Sequence, residues 1–337
     1  MDRRRFLHQA GGLAALMTAE YAPWQTIGAF AREVDDFVRG PAVKDHPLRQ
    51  VSKHVWMIHS PDGFPTPENQ GMMCNLTFVD TAKGLVVVDS GASAQIGEMA
   101  IRQLQKSLKK PVVAIVNTHY HGDHWLGNHA FVDAFGADLP IYAHPDTVAA
   151  IQGVQGNLWR TLLEQWTNQA TVGTRVVPPQ LALQHGAELK FGDVTLRIHH
   201  FGKVHTPGDL CVEVVEDKLT CVGDVAMDRR IANMDDGSYL GTFKAYDALE
   251  KNAASAVWLP GHGHPGPNVL KWNRALFEGI YRPCEAAIKD GKALEEAKTL
   301  VLKDPRVASQ ARDTKGFETN IGKYVSLAYL EAEAASF

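Results

Sequence analysis

Thr118-His119-Tyr120-His121-Gly122-Asp123-His124 is the stretch on which the reading of this chain turns. Three imidazoles and a carboxylate fall between His119 and His124. An apolar strand pattern, Pro111-Val112-Val113-Ala114-Ile115-Val116-Asn117, runs into it, and a helix-like segment with Trp125, Leu126, Phe131 and Val132 follows. A turn at the end of a buried strand sends nearby side chains into one cleft. Imidazole is the commonest transition-metal ligand near neutral pH, and carboxylate suits hard or borderline cations. Four such groups are enough to begin two adjacent metal sites.

Other parts of the chain supply what a two-metal site still lacks. His205 stands in Val204-His205-Thr206-Pro207-Gly208-Asp209. Asp224 ends the apolar run Leu219-Thr220-Cys221-Val222-Gly223, and His262 follows Val257-Trp258-Leu259-Pro260-Gly261. Asp89 ends Val86-Val87-Val88 in the same manner. Each lies past a short apolar run beside glycine or proline, at a strand end opening into a loop, where functional side chains gather in layered α/β proteins.

In this order the motifs resemble the metallo-β-lactamase superfamily, over roughly residues 50 to 270. The resemblance implies that His119, His121 and His205 hold a first metal, that Asp123, His124 and His262 hold a second, and that Asp224 bridges them. It places Asp89 behind the ligand loop, fixing its geometry. The chemistry agrees: three neutral imidazoles plus water make an open tetrahedral site, and a bridging carboxylate offsets repulsion between two divalent ions about 3.5–4 Å apart. Two divalent ions are expected, zinc first, with iron or manganese as alternatives. The implied fold is a four-layer αββα sandwich with helical extensions at both ends; periodicity alone gives only an α/β protein with mixed sheets.

The remaining histidines read as decoys. A lone histidine is more often a hydrogen-bonded structural residue than a ligand. His199 and His200 end an alternating strand and point to opposite faces, so at most one approaches the site. The Thr-Pro-Gly context selects His205 instead. His264 lines the mouth or is solvated, and His129 and His144 match no ligand position.

The chain has 337 residues, 45% hydrophobic and 21% charged, with a formal net charge of −4. That is enough for a sizeable core. The charges are interspersed, and neither a basic stripe nor a run of about 18 apolar residues occurs, so nucleic-acid binding and membrane spanning are unsupported. The expected partner is a small-molecule substrate.

Residues 1–22 resemble a twin-arginine export signal, from Arg3, Arg4, Phe6 and Leu7 followed by a small-residue apolar stretch, with Ala19 and Ala22 near a cleavage point. The plainer alternative is an amphipathic helix with a basic first turn. Export predicts a periplasmic protein. Residues 23–48 are then an N-terminal extension, 49–270 the catalytic domain and 271–337 a C-terminal helical extension. In that extension Leu294, Ala297 and Val301, then Ile321, Tyr324, Val325, Ala328 and Ala332, repeat at helical spacing, fit to pack on the core or to form a homodimer. Cys74, Cys211, Cys221 and Cys284 show no C-x-x-C spacing. Cys211 and Cys221 fall on a hairpin in offset register, so free buried thiols are expected.

Strand patterns lie near 54–58, 75–79, 85–88, 112–116, 194–199, 210–215, 219–222 and 257–259, and a helix over 97–109. The ligand set implies hydrolysis by a hydroxide bridging the two metals, with Asp123 orienting its proton and an ester, thioester, lactone or lactam as target. A serine mechanism lacks a G-x-S-x-G elbow. Two alternatives share the pocket: a β-lactamase, whose best-known subclass carries cysteine where Asp224 stands, and an iron-dependent sulfur-handling or redox protein. Diiron redox relatives usually replace a motif histidine with Glu, and His121 stands here, which favours hydrolysis. The phrases around 69–75, 89–92 and 229–231 are most similar to exported metallohydrolases linked to sulfur oxidation and quinoprotein relays.

Overall fold

Why β4 (Gly84–Val88) is apolar at every position follows from where it sits. Leu85 and Val87 face a helical layer, while Val86 and Val88 face a second sheet. A strand covered on both sides reads as a continuous hydrophobic run, without alternation. β5 (Val112–Val116), parallel to β4, divides the same way, with Ile115 on the helix side and Ala114 and Val116 between the sheets. Each such fully buried valine or leucine contributes roughly 1.5–3 kcal/mol.

In this computed structural model the described residues are 38–61, 63–231 and 234–337. The first sheet has seven strands in sequence order: β1 (Leu48–Gln50), β2 (Val55–Ile58), β3 (Leu76–Thr81), β4, β5, β6 (Ile141–Ala143) and β7 (Leu181–Ala182). The second comprises β8 (Glu188–Lys190), β9 (Thr195–His199), β10 (Cys211–Val214), β11 (Leu219–Gly223) and β12 (Val257–Pro260), in the order 12-11-10-9-8. Parallel pairing of β4 with β5 and of β11 with β12 sets the C-terminal ends of these strands along one edge.

Helices cover both outer faces, as the implied αββα sandwich requires. α1 (Ala94–Ser107) starts three residues earlier than the pattern over 97–109, because the Ser93 side chain accepts from Ile96 N and caps it. Its buried face, with Ile96, Met99, Ala100 and Leu104, joins α2 (Gly122–Trp125) and α3 (Asn128–Phe135) over the first sheet. α4 (Pro145–Ala150) is joined to α5 (Gly156–Trp166) by Ile151–Gln155, where the backbone kinks at Gly153 with ψ −134°. α6 (Tyr239–Asn252) and α7 (Val269–Lys289) cover the second sheet, where Cys211, Val222, Tyr246 and Leu270 meet.

The C-terminal helices pack on this chain's own core. Leu276, Ile280 and Cys284 of α7, Ala297 and Val301 of α8 (Leu294–Lys303), and Ile321, Val325 and Ala328 of α10 (Phe317–Ala334) bury against Tyr239 and Phe243 of α6. The short α9 (Pro305–Ala308) closes the turn between α8 and α10. α7 begins at Val269, and residues 40–337 cluster as one compact unit, so the extension is continuous with the sandwich. Residues 1–22, expected to be an export signal, and most of residues 23–48 lie outside the described residues. Among the described residues no helix is long and apolar enough to cross a membrane. All four cysteines are free and buried. Val212, not Cys211, faces Cys221, and the two cysteines belong to opposite faces of the sheet.

Candidate metal centre

All the sequence-predicted ligands converge at the strand-end edge. His119, His121, His205 and Asp224 form one group and Asp123, His124 and His262 another; within each, ligand-type atoms lie within 4.8 Å of one another, and every member is buried. His205 Nε2 sits 2.9 Å from His121 Nδ1 and 3.5 Å from Asp224 Oδ2. His262 Nε2 lies 3.3 Å from both Asp123 Oδ2 and Asp224 Oδ2, and His124 Nε2 lies 3.5 Å from Asp224 Oδ1. Asp224 thus touches both groups, the position a bridging carboxylate needs.

The backbone explains the convergence. β5 delivers Thr118 and His119, and the sharp turn into α2 carries His121, Asp123 and His124. β11 and β12 end side by side, so Asp224 and His262 meet. Gly261 permits that approach, since a Cβ there would collide with Asp224 Oδ1 and lie 2.7 Å from His124 Cε1. Asn75 Nδ2 donates to the carbonyls of Pro260 and Gly263, pinning the His262 turn to the start of β3. The His205 turn closes on Asp209, whose carboxylate accepts from His205 N, Thr206 N and Thr206 Oγ1. Burial nonetheless pushes the Asp209 carboxyl up to about 7, because these donors only partly offset desolvation.

Outer partners orient the rings. His119 Nδ1 is 3.0 Å from Thr118 Oγ1, His124 Nδ1 is 2.8 Å from Asp89 Oδ2, and His262 Nδ1 is 2.9 Å from the Met73 carbonyl. Ring nitrogens held from outside leave the inner nitrogens for a ligand. Among the described residues, His119 Nε2, His124 Nε2 and Asp224 Oδ1 are buried without a hydrogen-bond partner. Buried polar atoms are rarely left so, and three orphans converging on one point fit bound cations.

Electrostatics divides the cluster. Burial first, then repulsion from neighbouring imidazoles, holds His119 and His121 well below the usual histidine range, and burial lowers His205. These rings are neutral and ready to donate lone pairs. For His124 burial opposes charge, but Asp123, Asp224 and Asp89 outweigh it and hold the ring well above its ordinary value. Burial opposes charge on His262 too, and Asp224 is the main counterweight. Asp123 and Asp224 are held low against the cost of burial, Asp123 chiefly by His124 and Asp224 chiefly by His262. A cation taking the place of those two protons keeps the carboxylates balanced.

A family model described as "Metallo-beta-lactamase superfamily" matches residues 69–270. The chain belongs to this superfamily. Its members among the relatives are hydrolases, and the chain is a superfamily hydrolase with a metal site. It is 25% identical over 228 residues to "Metallo-beta-lactamase type 2" of Bacillus cereus, covering 66% of this chain and 78% of that protein. It is 39% identical over 84 residues to "Linear primary-alkylsulfatase" of Pseudomonas sp. (strain ATCC 19151), a stretch covering 24% of this chain and 16% of that one. The solved structure of an inverting sec-alkylsulfatase from Pseudomonas sp. superposes with a TM-score of 0.65 at 17% identity, covering 84% of this chain and 50% of that chain.

Within this superfamily fold the decoy histidines have other partners. His199 Nε2 is 2.8 Å from Glu213 Oε2, and His200 Nδ1 is 2.9 Å from the Asp209 carbonyl, so neither joins the cluster. His144 stacks on His200, and His129 Nδ1 accepts from Arg175 N. His264 is exposed and stacks on His59. Sequence reading missed Asn75, Thr118 and Asp209 as supports and the Met73 carbonyl as an acceptor. Asp209 was detectable, standing four residues after His205 in a Thr-Pro-Gly turn; a backbone carbonyl leaves no residue-type signal.

Trp159 of α5 was also missed. Its ring lies 4.8 Å from His121, and its side chain packs on Gly122, where a Cβ would approach Trp159 Cβ to 2.7 Å. Trp166 and the exposed Phe64 continue this aromatic wall, at 6.1 and 5.2 Å between ring centres.

Proposed function

We propose that this chain hydrolyses an ester, thioester, lactone or lactam bond with two divalent metal ions, zinc foremost. The observation that carries the reading is the paired constellation itself: His119, His121 and His205 beside Asp123, His124 and His262, with Asp224 touching both groups. Imidazole nitrogen mixed with carboxylate oxygen suits zinc, and also iron or manganese. When bound, two such ions bring the pKa of water towards about 7 and polarise the substrate oxygen.

The chain's own groups do the rest. Burial keeps His119, His121 and His205 neutral and able to ligate. Asp224 balances charge across both groups. Asp123, held ionised by His124 and His262, is the carboxylate placed to orient the proton of the attacking water. Thr118, Asp89 and Met73 hold the rings so that no reorganisation is needed during reaction. The aromatic wall of Trp159 and Trp166 keeps bulk water from one side of the cluster.

The target is an ester, thioester, lactone or lactam. A sulfate ester joins this set because the local match to the primary alkylsulfatase is the highest identity among the relatives described above. Metal analysis of purified protein, followed by turnover of all five bond types, tests the reading. Two ions per chain with hydrolysis of one class is the expected result. A single iron with oxygen consumption on a thiol substrate would replace it with the sulfur-handling alternative.

A further inference from the structure

Oxygen atoms hold three of the ligand rings from outside: Thr118 holds His119, Asp89 holds His124 and the Met73 carbonyl holds His262. Among the described residues His121 has no such oxygen. The hydrogen-bonding neighbour it does have is His205, itself a proposed ligand, whose Nε2 lies 2.9 Å from His121 Nδ1. What borders the His121 ring outside the cluster is aromatic. Tyr120 meets it in a T-shaped pair, with ring centres 4.9 Å apart and planes at 86°. Trp159 lies at 4.8 Å, tilted by 48°. Such ring pairs contribute about 0.5–1.5 kcal/mol beyond the area they bury, and they favour particular angles.

Tyr120 is fixed at both ends. Its side chain is buried and its hydroxyl donates to the Asp236 carboxylate, while its carbonyl accepts from Trp125 Nε1 at 2.8 Å. Burial first, then the hydrogen bond to Asp236, raises the phenol well above its ordinary range, so it remains a donor. Asp236 stands on a segment fastened from several sides. Lys323 of α10 donates to Asp235 at 2.7 Å, and Ser238 N donates to the Val204 carbonyl at 2.8 Å. Glu331 of α10 accepts from Ser238 Oγ at 2.6 Å and from Tyr239 N at 2.7 Å. The Tyr120 ring therefore leans on a frame that reaches into the C-terminal extension.

We propose that Tyr120, anchored by Asp236, and Trp159 are positioning residues that aim the His121 ring at the first metal. This role rests on the two-metal reading and deepens it: packing does for His121 what an oxygen does for the other three rings. Loss of either wall frees the ring to turn about its side-chain bonds, so the lone pair of Nδ1 leaves the line to the ion. The second group, Asp123, His124 and His262, keeps its own supports.

Cobalt(II) loading of the full chain tests this, because the visible absorption of the ion follows the geometry of its ligands. Stepwise titration separates the two ions. Tyr120→Phe, Asp236→Ala and Trp159→Leu should each shift the bands of the first ion and weaken its binding by about 10–100-fold, with the second ion bound as in wild type. Asp236→Asn keeps an acceptor for the tyrosine hydroxyl and should restore the wild-type spectrum. Trp159→Phe keeps an aromatic face and should fall between wild type and Trp159→Leu. A wild-type spectrum and first-ion affinity in Tyr120→Phe and Trp159→Leu overturns the proposal, whatever the thermal stability of those variants. Failure of the two-metal reading shows separately, as wild-type protein that takes up no second ion or none at all.

Discussion

Asp89 Oδ2 lies 2.8 Å from His124 Nδ1, and the same carboxylate accepts from Thr118 N and Thr118 Oγ1, each at 2.8 Å. One buried side chain at the end of β4 therefore sets the angle of a ring in the second group and the start of the loop that carries the first. Asp89 itself has φ +61°, a backbone conformation few residues other than glycine, asparagine and aspartate adopt readily. Asp89→Ala is expected to lower metal affinity by about 10–100-fold, with the second ion lost first. Metal content after dialysis against graded chelator measures it; full retention of both ions would remove Asp89 from the ligand support.

His119→Ala and His121→Ala should each lose the first ion and all activity, because two histidines cannot complete its coordination. His264→Ala, whose ring stacks on His59 away from the cluster, should keep both ions. Loss of an ion from His264→Ala would shift the ligand assignment away from His262.

Gly261→Ala places a methyl against Asp224 Oδ1 and His124 Cε1. We expect impaired metal loading and a stability loss of about 1–3 kcal/mol from local overpacking. Calorimetry of the metal-free and metal-loaded forms separates the two effects. A variant that loads metal like wild type would mean the β12 turn yields more easily than its packing indicates.

Far from the cluster, Asp217 accepts from Ser52 Oγ, from His54 N at 2.7 Å and lies 2.6 Å from His54 Nδ1, with its side chain 1% exposed. Burial opposes its charge, but these donors outweigh that and lower the carboxyl below 3.8. The folded-state value lies below the unfolded one, so this contribution is full above pH 3.8 and fades as pH falls through the folded value. Asp217→Asn should therefore cost about 1–3 kcal/mol at neutral pH, and the gap to wild type should close in acid. Denaturant curves across that range decide it; a gap that widens in acid contradicts the assignment.

Arg3→Lys combined with Arg4→Lys should hold the protein in the cytoplasm, folded and metal-loaded, because lysine keeps the charge of a twin-arginine pair without its donor fork. N-terminal sequencing of wild type from its native compartment should begin near Ala19 or Ala22. Retention of Met1 in exported protein would make the segment a structural helix.

The grouping of the candidate ligands was legible in the sequence because these side chains are dense and chemically distinctive: His119 to His124 within six positions, then Asp224 and His262 at the ends of apolar runs. The central strands were legible for the same reason that they are stable, being buried on both faces. β6, β7 and β8 escaped because two or three residues cannot display a period, and α1 starts earlier than its pattern because Ser93 caps a turn with little hydrophobic signal. The C-terminal helices were expected from spacing. That Tyr324 would line one cleft with Arg230 was not, since that juxtaposition depends on chain folding across 94 positions and no local pattern encodes it.

Ile231 N donates to the Lys315 carbonyl at 3.0 Å and Lys315 N to the Arg229 carbonyl at 2.9 Å, which ties the C-terminal extension to the loop that follows Asp224. Every proposed metal ligand lies between residues 119 and 262, whereas Asn273, Phe277 and Tyr324 lie in helices beyond them. The candidate ligands and the C-terminal helices are thus written in separate stretches of one polypeptide. Substitutions in α7 and α10 can therefore alter the packing beside the cluster without changing any candidate ligand. A library confined to residues 269–337 accordingly varies that packing while every candidate ligand stays in place.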